Sequence, residues 1–187
     1  AAVLLATVPG RAMAQTPWIG PLDGTLESGL TASTTTGHVA VVEAAGALLP
    51  PQGATALLLD TRPDAGSLPG DAGQASLTVT GVTVPTGEPV LRFRVNLLTD
   101  EPVASRADDA GQVTIIDEAT GMETVLAVLD TWTDLEAVPW SGHRHQTGFL
   151  SVAVNLNDHI PPGHSVTLRI EVTDDADGRA DSALVLD

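Results

Sequence analysis

Short apolar runs alternate with polar residues along most of the chain. Residues 75–84 are an example, because Leu77 and Val79 alternate with Thr78 and Thr80. Alternation with a period of two gives a β-strand that buries one face. Clusters of Gly, Pro, Asp and Thr separate the runs, and few stretches have the periodicity of a helix. The pattern therefore predicts strands joined by turns.

The most regular run is residues 89–101, which predicts a half-buried strand with a polar outer face. Residues 112–131 predict a hairpin that turns at Thr120–Gly121. Gly81 interrupts the alternation of its own run and predicts a β-bulge. The run at 89–101 places Leu91, Phe93, Val95 and Leu97 on one face and Arg92, Arg94 and Asn96 on the other.

About nine short strands with no helix between them predict an all-β fold, an antiparallel β-sandwich of jelly-roll type. No internal repeat or linker divides the chain, so we expect a single domain over residues 37–187. Besides the hairpin, the predicted strands are 38–44, 54–61, 75–84, 89–101, 148–157, 165–174 and 182–187.

Composition adds information about partners. The chain has 187 residues, a net charge of −16 and eight basic residues, all of them arginine. Such a charge repels nucleic acid and anionic membranes, and it makes cations the natural partners. The chain has no cysteine, which excludes disulfides and thiolate metal sites.

The first residues predict export. Residues 1–14 contain a short apolar run followed by Ala12-Met13-Ala14, which is typical of a signal-peptide cleavage site. The apolar run is too short to span a bilayer. We therefore expect a mature secreted chain that begins at Gln15, with residues 15–36 leading into the sandwich. The alternative is an ordinary N-terminal strand or helix.

The last part of the chain contains Thr147-Gly148-Phe149, then Val166-Thr167-Leu168, then several aspartates before Ser182-Ala183-Leu184. This order of motifs resembles the tail of a family of bacterial secreted β-sandwiches, the choice-of-anchor domains. That family has a Thr-Gly-aromatic strand, a strand containing Val-Thr-Leu, an Asp-rich loop and a final strand of the type DSALLLD. Residues 37–61 and 91–115 resemble its earlier segments. The resemblance implies a sandwich fold and a cell-surface location. The corresponding residues of the tail are Thr147, Gly148, Phe149, Val166, Thr167, Leu168, Asp174, Asp177, Asp181, Ser182, Ala183, Leu184 and Asp187.

Crowded carboxylates predict a calcium (Ca²⁺) site. Hard oxygen ligands at close spacing suit this ion, and like charges repel one another unless a cation neutralises them. One acidic group precedes the last strand, a second follows the central strand, and the final aspartate is a separate candidate. A solvated acidic surface is the alternative. The candidate ligands are Asp174, Asp175, Asp177, Asp181, Asp187, Asp100, Glu101, Asp108 and Asp109.

Other chemistry is weakly indicated. His143 and His145 would share one face of a strand, as a metal pair requires, but their surroundings predict a loop and no third ligand is placed. The sequence contains no hydrolase elbow and no metalloprotease motif. Trp132 and Trp140 are candidates for a sugar platform, although buried or loop-anchoring roles are commoner for tryptophan.

These observations predict an exported, non-enzymatic module at a bacterial cell surface or in its matrix. We expect a structural or adhesive role, stabilised by Ca²⁺, with surface components or polysaccharide as partners and without membrane insertion. One alternative is a carbohydrate-binding module that uses Trp132 and Trp140. Another is a self-associating filament subunit that adds its apolar start to a neighbour's sheet edge.

Overall fold

The computed structural model describes residues 33–43, 55–62, 73–87, 89–100, 109–132, 135–140, 143–174 and 181–187. These residues form two antiparallel sheets packed face to face, and the one helix among them is a 3₁₀ turn, Leu156–Asp158. The predicted antiparallel β-sandwich is confirmed. None of the described segments is a helix long and apolar enough to cross a bilayer.

Twelve strands are described, in contrast to the nine that the sequence predicts. The five-stranded sheet has the order β1-β4-β11-β6-β7, and the seven-stranded sheet has the order β2-β3-β12-β5-β9-β8 with β10 also paired to β5. The strands of the first sheet are β1 (Ser33–Thr36), β4 (Gln74–Thr83), β6 (Ala110–Asp117), β7 (Glu123–Asp130) and β11 (Ser165–Thr173). Those of the second are β2 (His38–Glu43), β3 (Thr55–Asp60), β5 (Val90–Thr99), β8 (Glu136–Trp140), β9 (His143–Gln146), β10 (Leu150–Asn155) and β12 (Ser182–Leu186).

Most neighbouring strands are distant in sequence. The late strand β11 lies between β4 and β6, and the last strand β12 lies between β3 and β5. The chain therefore passes repeatedly from one sheet to the other, as in a jelly roll. The three unpredicted strands are short: β1 begins before the expected domain start at 37, and β8 and β9 occupy a stretch that the sequence predicted as loop.

The predicted local features are present. β6 and β7 form the hairpin, and Gly121 occupies its turn with a φ of 71°. The ladder between β11 and β4 shifts register between Val166 and Leu168, opposite the segment that contains Gly81, so the predicted bulge is confirmed.

The main core lies between the sheets. Every second side chain along the strands points into this space and is buried. Leu77 and Ile170 of one sheet and Leu57 and Leu184 of the other are all fully buried. The sheets approach closely at Gly111, because a Cβ atom added there would lie 2.3 Å from Cδ1 of Leu184. Glycine is needed at this position because of that contact.

A second apolar cluster lies on the outer face of the seven-stranded sheet. Phe149 packs on it, next to a bulge at Thr147 and Gly148 that separates β9 from β10. The hydroxyl of Thr147 accepts a 3.1 Å hydrogen bond from the amide of Leu97, and Gly148 has a φ of 77°. The Thr-Gly-aromatic motif thus has a packing role here. The buried members of the cluster are Ala56, Leu58, Leu98, Ala183 and Val185.

Candidate functional site

The two predicted acidic groups meet at one end of the seven-stranded sheet. The amide of Asp100 donates a 3.1 Å hydrogen bond to the carbonyl of Asp181, which joins the end of β5 to the start of β12. The hydroxyl of Ser182 donates a 2.6 Å bond to the carboxylate of Asp109, which is fully buried. We call this region the acidic end: Asp60, Asp100, Asp109 and Asp181.

Arg62 supplies a positive charge at the acidic end. Its Nε lies 3.0 Å and 2.9 Å from the two carboxylate oxygens of Asp60, and its Nη2 also contacts that carboxylate. The charges of Asp181 and Asp100 act on the same guanidinium. The guanidinium of Arg62 therefore neutralises part of the negative charge for which the sequence predicted a bound cation.

Electrostatics at this end push neighbouring carboxyl groups in opposite directions. Burial alone would raise the pKa of Asp60, but His143 and Arg62 outweigh it and hold that pKa far below its ordinary value. Burial and then the charge of Asp60 raise the pKa of Asp181, although Arg62 partly offsets them. Asp60 therefore ionises more readily in the fold than an ordinary aspartate does, and Asp181 ionises less readily.

The histidine pair lies on a strand, so the loop predicted for this stretch is wrong. His143 of β9 is 1% exposed, and its Nε2 is 3.7 Å from a carboxylate oxygen of Asp60, beyond hydrogen-bonding distance. His145, two positions along the same strand, is partly exposed. The sequence missed this strand because Pro139 and Gly142 flank it with turn signals.

The other candidate ligands lie at different places in the fold or outside the described residues. Asp174 is buried at the end of β11, where its amide bonds to the carbonyl of Gly73 at 2.9 Å. Asp187 lies at the opposite end of β12 and pairs through its backbone with Arg94, so it is separate from the acidic end. Within the described ranges, no three His, Asp or Glu side chains are grouped as a metal site requires. Outside the described residues lie Glu101, Asp108, Asp175 and Asp177.

A second candidate region covers the outer side of the five-stranded sheet. Glu171 lies between Ser76 and Gln112 in the ladder, and Gln112 in turn is opposite Val128. Because the neighbouring strand residues bury the other face, this row points outward. We call the surface the polar face: Ser76, Gln112, Val128, Arg169, Glu171 and Thr173.

Internal bonds hold the side chains of the polar face in place. Arg169 contacts Glu123 at 2.9 Å and Glu171 at 3.7 Å, so its guanidinium is fixed between two carboxylates. Gln112 donates a 2.8 Å hydrogen bond to Thr114 beneath it. The face therefore offers preorganised donors and acceptors to a ligand.

Trp132 follows β7, the edge strand that borders the polar face, two residues after its last residue, Asp130. The alternation of buried and exposed positions on β7 continues beyond the strand, where Thr131 is buried and Trp132 is 61% exposed. Trp132 is therefore not a core residue, and of the two commoner roles for tryptophan only that of a loop anchor remains beside the sugar platform. Val125 and Val128 on the same strand are 51% and 53% exposed, so apolar surface borders the polar row. Trp140 lies on β8, and its side chain is outside what the structure describes.

The chain matches no protein-family model and no curated protein. It is similar in structure to a non-crystalline cellulose-specific carbohydrate-binding module, CBM28, with 13% identity, a TM-score of 0.46, and coverage of 87% of this chain and 89% of that one. It is also similar to CBM27-1 of Caldicellulosiruptor saccharolyticus in complex with mannohexaose, with 18% identity and a TM-score of 0.48. That match covers 89% of this chain and 93% of the other. A third similar structure is a cleaved adhesin domain of Lys-gingipain from Porphyromonas gingivalis, with 14% identity and a TM-score of 0.41. That match covers 87% of this chain and 95% of the other. These likenesses assign no function to this chain.

Proposed function

We propose that this protein is a non-catalytic β-sandwich module that binds a neutral polysaccharide on the polar face beside Trp132. The observation that carries the proposal is the exposed indole of Trp132 just past the edge strand β7, on the sheet whose outer face holds the fixed side chains of Arg169 and Gln112. Sugars need both kinds of surface, because each ring has an apolar C–H face and a rim of hydroxyl groups.

The polar face fits that chemistry. An indole offers a large, rigid apolar surface to a sugar ring. Glu171 and Gln112 offer a carboxylate and an amide on neighbouring strands, and Arg169 offers a guanidinium two residues away from Glu171 along β11. Because internal bonds already hold Arg169 and Gln112, binding would cost little side-chain entropy.

Export and a cell-surface or matrix location remain part of the proposal. They rest on the apolar start with Ala12-Met13-Ala14 and on the resemblance of the tail to exported β-sandwich domains. A surface module that holds polysaccharide would have the structural or adhesive role expected from the sequence.

Affinity electrophoresis against a panel of soluble neutral polysaccharides tests the proposal. We expect at least one polysaccharide to retard the protein, and Trp132→Ala to weaken binding about ten-fold or more, as for other aromatic anchors. Leu150→Ala is the matched control, because Leu150 is an exposed apolar residue, 46% exposed, on the other sheet. A chain that no polysaccharide retards, or a Trp132→Ala variant that binds normally, would refute the proposal.

We also propose that Ca²⁺ stabilises the acidic end. Support comes from the excess of negative charge where the segments that carry Asp100, Asp109 and Asp181 meet, which Arg62 alone does not balance. The described side chains do not by themselves form a metal site. The measurement is the melting temperature in chelator and in millimolar Ca²⁺, and we expect the ion to raise it. Identical melting curves in the two solutions would show that Ca²⁺ does not stabilise the fold.

A further inference from the structure

The strand β7 forms one edge of the five-stranded sheet. Among the described strands it pairs only with β6, so its other side offers backbone N–H and C=O groups for pairing. With eight residues it is the longest described strand at a sheet edge, since β1, β2, β8 and β10 have four to six. It contains no proline, lysine or arginine, which are residues that commonly protect an edge from association.

Backbone bonds at the start of β7 show that Val125 faces the open edge. The carbonyl of Met122, the residue before the strand, accepts a 2.9 Å hydrogen bond from the amide of Asp117 at the end of β6. In an antiparallel pair, every second residue bonds to the same neighbour. Met122 and Thr124 therefore bond towards β6, and the N–H and C=O groups of Val125 point away from it.

The end of β7 gives the same result for Val128. The amide of Thr131, just past the strand, donates a 3.2 Å hydrogen bond to the carbonyl of Asp109, just before β6. Counting back in steps of two, Leu129 bonds towards β6 and the backbone of Val128 points to the open edge. The ladder with β6 shifts register between Val125 and Val128, so both valines face outward although two residues separate them.

The side chains along this edge are apolar and exposed. Met122 and Val128 are both 53% exposed, and Val125 is 51% exposed. No other described strand has two large hydrophobic residues that are exposed to this degree. A strand added to β7 would therefore cover apolar side chains and also pair with backbone groups.

The charge around β7 is negative. The five strands of this sheet carry one basic residue, Arg169, against four acidic residues. Arg169 pairs with both Glu123 and Glu171, so these three side chains keep one net negative charge. Asp130 adds another at the far end of β7. Negative groups thus flank the two valines, and they favour a ligand with positive charges on either side of an apolar centre.

We propose that the edge of β7 binds an extended segment of a partner protein, in which alternate apolar residues are flanked by arginine or lysine. In strand addition, main-chain hydrogen bonds give affinity and alternate side chains give specificity. This function goes beyond polysaccharide binding, because its ligand is a polypeptide and its contacts lie along the edge of the sheet. It shares only Val128 with the polar face.

A second copy of this chain fits the edge less well. An antiparallel pair of β7 strands that sets Val125 opposite Val128 also sets Glu123 opposite Asp130, and two-fold symmetry repeats that contact. Like charges directly opposite one another destabilise a sheet. Each copy also has a net charge of −16. A basic segment of another protein meets neither cost.

The test measures binding of the full chain to a fluorescent peptide by anisotropy, in about 0.05 M NaCl. The peptide is Arg-Thr-Val-Thr-Val-Thr-Arg with blocked ends, and we expect saturable binding with a Kd below about 1 mM. Glutamate in place of both arginines should weaken binding about ten-fold or more. A peptide whose valine and threonine amides are all N-methylated should not bind, because it cannot donate hydrogen bonds to a strand.

Variants of β7 locate the site. Val125→Pro removes an amide that points away from β6 and should weaken binding of the arginine peptide about five-fold or more. Val125→Thr is the matched control, because it keeps the branched side chain and the amide, and it should bind about as the wild type does. Asp130→Asn should weaken binding about three-fold and reduce its dependence on salt.

Four results would overturn the inference. They are no saturable binding of the arginine peptide, equal binding of the glutamate peptide, equal binding of the N-methylated peptide, and a dimer in sedimentation that Val125→Pro dissociates. The last result would assign the edge to a second copy. Trp132→Ala should leave peptide binding unchanged, so that failure of this inference and failure of the polysaccharide proposal can be told apart.

Discussion

Asp60 and Arg62 form an ion pair where β3 ends, and the carboxylate in that pair is only 1% exposed. The amide of Arg62 also donates a 2.9 Å hydrogen bond to Asp60, so the turn itself holds the two charges together. The acidic end is therefore built around a cation that belongs to the chain.

Replacing Arg62 should destabilise the fold. Arg62→Gln leaves the buried carboxylate of Asp60 without its counter-ion, and the expected loss is about 3 kcal/mol of unfolding free energy. Denaturant unfolding measures it, with Arg144→Gln as the control that should cost little. The rise in melting temperature caused by Ca²⁺ should be larger in Arg62→Gln. Equal stability of the two variants would contradict the assigned role of Arg62.

The pH dependence of stability should contain a contribution from Asp60. Its pKa in the fold lies below the unfolded value, so its ionised form stabilises the protein above about pH 4, and that contribution is lost as the pH falls. Asp60→Asn should lower stability at pH 7 and flatten the decline on the acid side. The free energy of unfolding in urea is measured from pH 7 to pH 2 for both proteins. An Asp60→Asn variant whose stability falls as steeply with pH as that of the wild type would contradict this prediction.

Asp181 should have the opposite effect. Burial and the nearby charge of Asp60 raise its pKa, so its contribution to stability is present at low pH and is lost as the pH rises through the raised value. Asp181→Asn should therefore gain a few tenths of a kcal/mol at pH 7, a small effect because the group is partly solvated. The gain should vanish at pH 3. The comparison is made in chelator, where a lower melting temperature of the variant at pH 7 would contradict the effect assigned to Asp181.

The contact between the two sheets at Gly111 is testable by a double-mutant cycle. Gly111→Ala places a methyl group against Leu184, and the expected cost is about 1–3 kcal/mol. In the Leu184→Ala background the same change should cost less, because the space has been vacated. Strict additivity of the two changes would mean that the contact is not the cause.

The bulge beside Phe149 depends on one hydroxyl group. Thr147→Val removes the acceptor of the Leu97 amide and should cost about 1–3 kcal/mol, whereas Thr147→Ser retains the oxygen and should cost less. Chemical denaturation of the two variants decides the point, and a valine variant as stable as the serine variant would refute it.

Sequence patterns predict nine of the twelve described strands because alternation of apolar and polar residues is a strong signal. They miss β1, β8 and β9, which have only four or five residues. β1 pairs with the distant strand β4, while β8 and β9 pair with each other across turn signals. The meeting of the two acidic groups follows from the clustering of loops at the ends of a sandwich. The role of Arg62 was not predictable, because sequence does not reveal which aspartate is buried. The exposure of Trp132 was missed for the same reason, since burial is the commoner state of tryptophan.

The most direct measurement for the polar face is NMR mapping of the full chain with a neutral oligosaccharide from the polymer that retards it. The account predicts that amide shifts change at Trp132, Gln112 and Glu171, while those of Arg92 and Ser151 on the other sheet stay unchanged. Shifts confined to the seven-stranded sheet, or none at saturating sugar, would contradict it.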